Sequence, residues 1–335
     1  MLREQSEKCH QFSVTHNETY NYPKLMKLSP YVEYLMLIIL VAVFAASAYH
    51  RNHVWKDDLS LWLDVAEKSP EKFRGHNNLG NAYIKMEQYD RAMAELKCTL
   101  ALNPRADKAY NNMGNVYLAK DRIDEAIAVC KQALELQPDS IEALLNLGYC
   151  YFKKGLHRLA IASYEGAIEI RPDYVKARLG LGAVYDEMGL IDMAIREYQI
   201  ALSIDPDHAK SHYNMGLAYD KKGLLDQAIT HYKNALRLKQ DYPEALSNLG
   251  VIYAKVGQLD EAVKLFEQAL SFRPEDLVSM FNLGLAYEQS LKQKEHRAES
   301  IELRVKAVRT YEKVLVLDPN NVRAREGLRK LRAEK

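Results

Sequence analysis

Two patterns of apolar residues divide the chain. The first is an unbroken run. Tyr34 to Tyr49 contains no charged residue, and the run extends back to Tyr31 with only Glu33 inside it. The second is a recurrence. Gly80, Gly114, Gly148, Gly182, Gly216, Gly250 and Gly284 follow one another with a 34-residue period. A tyrosine follows each by three positions, at Tyr83, Tyr117, Tyr151, Tyr185, Tyr219, Tyr253 and Tyr287. An alanine follows the first six by twelve, at Ala92, Ala126, Ala160, Ala194, Ala228 and Ala262. An aromatic recurs at Tyr164, Tyr198, Tyr232, Phe266 and Tyr311, and prolines fall at Pro70, Pro104, Pro138, Pro172, Pro206 and Pro274.

Each recurrent residue has a physical task. A glycine lets one helix backbone approach another, and the tyrosine further along is expected to fill the space beside it. The alanine is the contact point of a second helix. Proline prevents that helix from continuing. Between the two helices, Gly155, Gly189, Gly223 and Gly257 stand where a helix end needs a left-handed residue. Asp192, Asp226 and Asp260 then favour the next helix start. Each unit therefore reads as helix, tight turn, helix. One such unit cannot bury its apolar face alone, but a stack can. The spacing predicts an all-α solenoid of seven units at 73–106, 107–140, 141–174, 175–208, 209–242, 243–276 and 277–321, followed by a capping helix over 322–335.

The pattern departs from its period twice. Gln240 replaces the closing proline of the fifth unit, and Pro243 appears instead as the first residue of the next helix. In the seventh unit Ala307, Tyr311 and Pro319 arrive eleven residues late. Eleven residues make about three helical turns, so longer helices keep the packing face in register. From Lys292 to Lys335 there are 13 Lys and Arg against 7 Asp and Glu, which reads as a solvated cap or as a basic surface for an acidic partner or lipid.

Before the units, residues 1–30 form a polar leader with a sequon at Asn17-Glu18-Thr19. A spanning helix needs about 20 largely apolar residues with aromatic ends, which 31–49 supplies. A cleavable signal is the competing reading, with Ala46-Ser47-Ala48 as its site. Thirty residues before the core is long for a signal, and a soluble helix here has no apolar partner in the 34-residue register. A single membrane anchor is the reading carried forward. Residues 50–72 form a juxtamembrane half-repeat, with Trp62 at the aromatic position and Pro70 at the closing one, expected to cap the stack.

Composition adds mainly exclusions. A net charge of +1 gives no global reason for a nucleic-acid partner. The four cysteines, Cys9, Cys98, Cys130 and Cys150, form no CxxC pair and no zinc spacing. No GxxxxGK, HExxH or GxSxG motif is present. His76 and His212 share a unit position and read as face residues. No catalytic residue, metal, cofactor or small-molecule substrate is expected.

One candidate site remains. Asn78, Asn112, Asn146, Asn214, Asn248 and Asn282 each precede the register glycine by two residues, and Gly180 breaks the row in the fourth unit. An amide can donate to a peptide carbonyl and accept from a peptide N–H, so a row of them can hold an extended backbone whatever its side chains. The same asparagines also suit a solvated surface without a ligand, and spacing does not choose between the two.

Stretches such as "NNLGNAYIKMEQYDRAMAELKCTLALNP" and "SNLGVIYAKVGQLDEAVKLFEQALSFRP" closely resemble the tetratricopeptide repeat family. That resemblance implies a right-handed superhelix whose first helices line a concave face. The asparagine row is similar to the ladder in the repeat superhelix of the O-linked N-acetylglucosamine transferases, which implies peptide binding there. Tetratricopeptide domains that take chaperone C-termini use a two-carboxylate clamp. Here its lysine slots hold Asn77 and Glu142, its arginine slot holds Asn146, and only Asn81 and Asn112 match, so a C-terminal carboxylate ligand is not expected. The junction around Arg51-Asn52, Trp55, Leu61-Trp62, Ser69-Pro70 and Asn78-Leu79-Gly80 resembles repeat-bearing membrane glycosyltransferases of the protein O-mannosyltransferase-like group. That implies repeats on the lumenal or periplasmic side. The catalytic spans of that group have no counterpart in this chain. The expected function is thus a single-pass membrane scaffold binding a protein or peptide in its groove. The alternative is the substrate-presenting part of a membrane protein O-glycosyltransferase system.

Overall fold

The computed structural model describes residues 29–293 and 297–333. Most of the leader, with Cys9 and the sequon, lies outside the described residues, as do 294–296 and 334–335. All regular elements among the described residues are helices, and the chain divides into two units between Lys68 and Ser69.

The first unit holds α1 (Pro30–Val54) and α2 (Asp58–Lys68). Pro30 is the first helical residue, where its missing N–H costs nothing. The stretch Pro30–Tyr49 has 20 residues of mean hydropathy 2.1 with nothing packed over it. It is long and apolar enough to cross a membrane. Helix α2 begins with a reciprocal cap: Ser60 N donates to Asp57 Oδ1 at 2.8 Å, and Asp57 N donates to Ser60 Oγ at 3.2 Å. Each residue thereby satisfies an amide that the helix start leaves open. The bond from the Ser60 amide, then that from its hydroxyl, holds the Asp57 carboxyl below its ordinary value.

The second unit is a stack of helix pairs. They are α3 (Phe73–Lys85) with α4 (Tyr89–Leu102), α5 (Asp107–Ala119) with α6 (Ile123–Leu136), and α7 (Ile141–Lys153) with α8 (His157–Ile170). Next come α9 (Val175–Glu187) with α10 (Ile191–Ile204), α11 (Ala209–Lys221) with α12 (Leu225–Leu238), and α13 (Pro243–Lys255) with α14 (Leu259–Phe272). The last pair is α15 (Leu277–Gln293) with α16 (Arg297–Leu317), and α17 (Val322–Ala333) closes the stack. The eleven late residues of the seventh pair lengthen both helices, to 17 and 21 residues against 13 and 14 in the pair before.

Helix pairing rests on the register glycines, though not through the tyrosines expected beside them. A Cβ at Gly182 would lie 2.4 Å from Tyr198 Cε1, and one at Gly216 would lie 2.7 Å from Tyr232 Cε1. Phe266 stands in the same way over Gly250, and Tyr311 over Gly284. The aromatic of the second helix, not the tyrosine three residues on, fills the space. Each ring occupies the volume a Cβ would take, and Ala194, Ala228 and Ala262 are fully buried nearby. In the first two pairs Leu96 and Cys130 take the ring's place.

The turn within each pair is a left-handed cap. Gly155, Gly189, Gly223 and Gly257 have φ of 68°, 75°, 73° and 84°. The bonds Leu156 N to Tyr151 O (2.8 Å) and Gly155 N to Phe152 O (2.9 Å) close the helix end. They satisfy carbonyls that the last helical turn leaves without partners. Glu87 and Asp121 adopt the same conformation, at φ of 59° and 55°. They do so without glycine's conformational freedom.

The shared position of His76 and His212 is a link between helices. His76 Nε2 meets Pro70 O at 3.0 Å, and its Nδ1 meets Glu95 Oε2 at 2.6 Å. His212 repeats the first contact with Pro206 O at 3.1 Å, but its Nδ1 faces Nδ1 of His231 at 3.0 Å. Burial opposes charge on His76, but the hydrogen bonds to Glu95 and Pro70 and the Glu95 charge outweigh it, so its pKa rises. Burial first, and then the His212 ring, push His231 down to about 4.

The left-handed turns and the histidines each give a measurable consequence. Glu87→Gly should stabilise the stack by about 1 kcal/mol and Gly189→Ala should destabilise it by a similar amount, seen as opposite shifts of the urea midpoint. The histidines give opposite pH responses. Unfolded His231 binds its proton near 6.5 and folded His231 only near 4, so folding loses stability as pH falls through that window. His76, with its raised value, contributes at low pH and loses that contribution as pH rises through its folded pKa. Urea midpoints of wild type and His231→Gln should therefore diverge below pH 6.5, the variant losing less; parallel curves would contradict the assignment.

Candidate functional site

Curvature follows from which helices touch. The first helices of neighbouring pairs approach one another directly, α3 to α5, α5 to α7, α7 to α9, α9 to α11 and α13 to α15. Second helices stand further apart. First helices therefore form the inner wall of the stack. The expected asparagines are all on that wall, each the sixth residue of its helix: Asn78 in α3, Asn112 in α5, Asn146 in α7, Asn214 in α11, Asn248 in α13 and Asn282 in α15. All six are half-buried.

The structure does not treat them alike. Asn112 Nδ2 donates to Asn77 Oδ1 of the preceding repeat at 3.2 Å. Asn146 Nδ2 donates to Asn111 Oδ1 at 2.9 Å and to Asn115 Oδ1 at 2.8 Å. Asn248 Nδ2 donates to the Tyr213 hydroxyl at 3.2 Å. Part of each amide thus ties one repeat to the next, and its carbonyl oxygen keeps acceptor capacity for a ligand N–H. Asn78 accepts from Asn77 Nδ2 at 3.3 Å.

Gly180 breaks the row for a steric reason. A Cβ there would lie 2.4 Å from Cε1 and Cζ of Tyr164, whose ring also covers Gly148. The ring spans two repeats and leaves no room for an amide. The cap repeats this: Gly327 is the sixth residue of α17, and a Cβ on it would lie 2.6 Å from Tyr311 Cε2.

Two adjoining cavities open on the inner wall over the first three repeats. The larger, about 480 Å³, is lined by Asn77, Asn78, Asn81, Asn111 and Asn112 together with charged groups of α5 and α7. The smaller, about 370 Å³, shares Asn77, Asn78, Asp107 and Lys108 with it and adds Arg74 and Arg105. Asn282 lines a separate cavity of about 160 Å³ with Val251, Ala254 and Leu285. Asn146, Asn214 and Asn248 line none of these three. Of the row, Asn78 and Asn112 thus stand in the N-terminal groove, and the wall becomes more apolar around Asn282. The sequence row omitted three of the five asparagines of the larger cavity, Asn77, Asn81 and Asn111, although the doublets Asn77-Asn78 and Asn111-Asn112 display two of them.

Charges along the wall differ by repeat. Further up the stack, Lys221 Nζ pairs with Asp186 Oδ2 at 2.6 Å, and Lys255 Nζ with Asp220 Oδ1 at 3.0 Å. At the turns, Lys154 pairs with Asp124 and Lys222 with Asp192, at 2.5 Å and 2.6 Å, and Lys120 pairs with Asp90. Such exposed pairs are screened by solvent, add little stability singly and mainly fix the stagger of neighbouring repeats. Beneath the groove, burial pushes the Cys130 thiol up to about 12, with the Cys150 thiol adding to the effect and Asn146 opposing it. Cys130 is therefore a neutral packing group rather than a nucleophile. Elsewhere, α12 and α14 flank an apolar cavity of about 380 Å³, lined by Leu236, Leu249 and Leu265, away from the amides.

Known proteins match this chain through its repeats. A family model described as TPR repeat matches residues 80–121, 114–155, 187–223 and 221–257. One described as tetratricopeptide repeat matches 141–174 and 243–276. The matches begin at residue 80 and lend the glycosyltransferase resemblance no support. No curated protein matches the chain. Among solved structures, a chain of the APC/C hetero-tetramer Cut9-Hcn1 overlays with a TM-score of 0.65 at 18% identity, covering 82% of this chain and 52% of that one. The chain thus spans about half the length of that relative. PilF of Pseudomonas aeruginosa overlays at 0.57 with 19% identity, covering 69% of this chain and 98% of its own. MamA is 31% identical over 48% of this chain and 95% of its own, but its TM-score of 0.43 is too low to argue from. The two better overlays show the fold alone. The glycine register, the paired helices and the family matches agree: this chain belongs to the tetratricopeptide repeat family.

Proposed function

We propose that this chain is a binding scaffold that holds an extended peptide segment of a protein partner along the first-helix wall. The observation that carries the reading is the cluster of amides around the 480 Å³ cavity of the first three repeats. Solvated asparagines without a task have no reason to line one concavity. Asn77, Asn78, Asn111 and Asn112 are half-buried, and Asn112, which donates once to Asn77, keeps a second N–H and its carbonyl oxygen for a ligand. That supply suits the alternating donors and acceptors of an extended backbone. Helix α1, by its length and apolarity, serves as the single membrane anchor of the scaffold. The repeats are proposed to lie on the lumenal or periplasmic side, the reading that the junction sequence supports.

Short amidated peptides selected by the wild-type chain from a random array provide the ligand. Replacing Asn77, Asn111 and Asn112 together with alanine should weaken their binding roughly tenfold or more, at about 0.5–1.5 kcal/mol per lost hydrogen bond. Helical circular dichroism should remain intact. Unchanged affinity in a folded variant would remove the amide row from the account. In sealed membranes, added protease should leave the repeats whole until detergent is supplied; digestion in intact vesicles would place them on the cytosolic side.

A further inference from the structure

The junctions between repeats carry a charge pattern that the peptide-groove reading does not use. The residue after the closing position is acidic at five junctions, as Asp139, Asp173, Asp207, Asp241 and Glu275, and at the first junction it is Arg105. Arg105 does not stand alone. Together with Arg74 of α3 and Lys108 of α5 it lines the cavity of about 370 Å³ that adjoins the amide groove. One carboxylate, Asp107, stands among these three cations. Arg74 rests 5.9 Å from the centre of the Phe73 ring. Among the described residues, none of the three cations makes an ion pair, whereas Lys221 and Lys255 further along the wall are each paired with an aspartate. At the second junction carboxylates outnumber cations: Asp139 and Glu142 line the larger cavity with Asp107, against Lys108 and Arg171.

We infer that the first junction is an acidic-side-chain subsite: it takes glutamate or aspartate side chains of the segment whose backbone the amides hold. This rests on the groove reading and names the chemistry and direction of its ligand. Three like charges around one cavity repel each other in the free protein, and an anionic segment removes that cost on binding. The surrounding amides of Asn77, Asn78 and Asn103 can hydrogen-bond the same carboxylates. A polyphosphate backbone fits less well, because Asp139 and Glu142, with Arg171 alone beside them, would meet its continuing charge. The acidic residues of the ligand therefore occupy one end of the groove, and its uncharged residues continue over Asn111, Asn112 and Asn146. The subsite differs from recognition of a chain terminus, since it needs no terminal carboxylate.

Two C-terminally amidated alanine-serine peptides test this, one with a run of glutamates at one end and one with glutamines there. Fluorescence anisotropy with the full chain in detergent should show the glutamate peptide binding roughly tenfold tighter, equivalent to about 1.4 kcal/mol. The preference should shrink as salt is raised. Arg74→Gln/Arg105→Gln should largely abolish it while leaving glutamine-peptide binding unchanged. Arg105→Asp, which installs the residue found at four other junctions, keeps the fold and should reverse the preference at that position. Equal binding of both peptides to wild type, or a preference that survives both variants, would overturn the subsite and leave the groove reading standing. Binding of neither peptide would overturn both. Competition by a thymidine oligonucleotide as strong as that of the glutamate peptide would overturn the assignment to an acidic peptide.

Discussion

The repeat stack depends on one contact, the aromatic ring of a second helix lying against a glycine of the first. At Gly182 the missing side chain is replaced by Tyr198, and at Gly216 by the fully buried Tyr232. Any larger residue at the glycine forces the helices apart, and overpacking of this kind costs about 1–3 kcal/mol. With the pair held this close, the first helix presents one face to its partner and to the next repeat. Its remaining face has nowhere to go except inward, along the wall where first helices meet.

The inner wall inherits its character from the same contact. Where the ring stays within its own repeat, the sixth residue of the next first helix has room for an amide, as at Asn214 and Asn248. Where the ring reaches across, as Tyr164 does over both Gly148 and Gly180, only glycine fits. The gap in the amide row and the glycine of the closing helix, beneath Tyr311, therefore have one cause. Packing thus places the amides, and their bonds to one another, such as Asn146 to Asn111 and Asn115, place the groove at the N-terminal end.

Most of the fold was legible in the sequence because its determinants recur in one register. Gly155, Gly189, Gly223 and Gly257 announced their left-handed turns, and the structure has them there. Glu87 and Asp121 gave no such signal, since their conformation is imposed by helices on either side rather than preferred locally. The tyrosines after the register glycines were misassigned because spacing along one helix cannot show which side chain arrives from another. The site was legible only as a row. That Arg74, Arg105 and Lys108 share one cavity depends on the turn between repeats bringing residues of two helices together, which no single-helix pattern displays. The pairing of His212 with His231 was hidden for the same reason.

The central claim is that the first-helix wall, not the outer surface, meets the partner. A photoreactive amino acid placed at Asn146, on the first-helix wall, and separately at Lys131, exposed on α6, tests it in intact cells. The account predicts a discrete crosslinked partner from position 146, traced by mass spectrometry to one extended segment, and none from position 131. The same adduct from both positions, or one from position 131 alone, would contradict it.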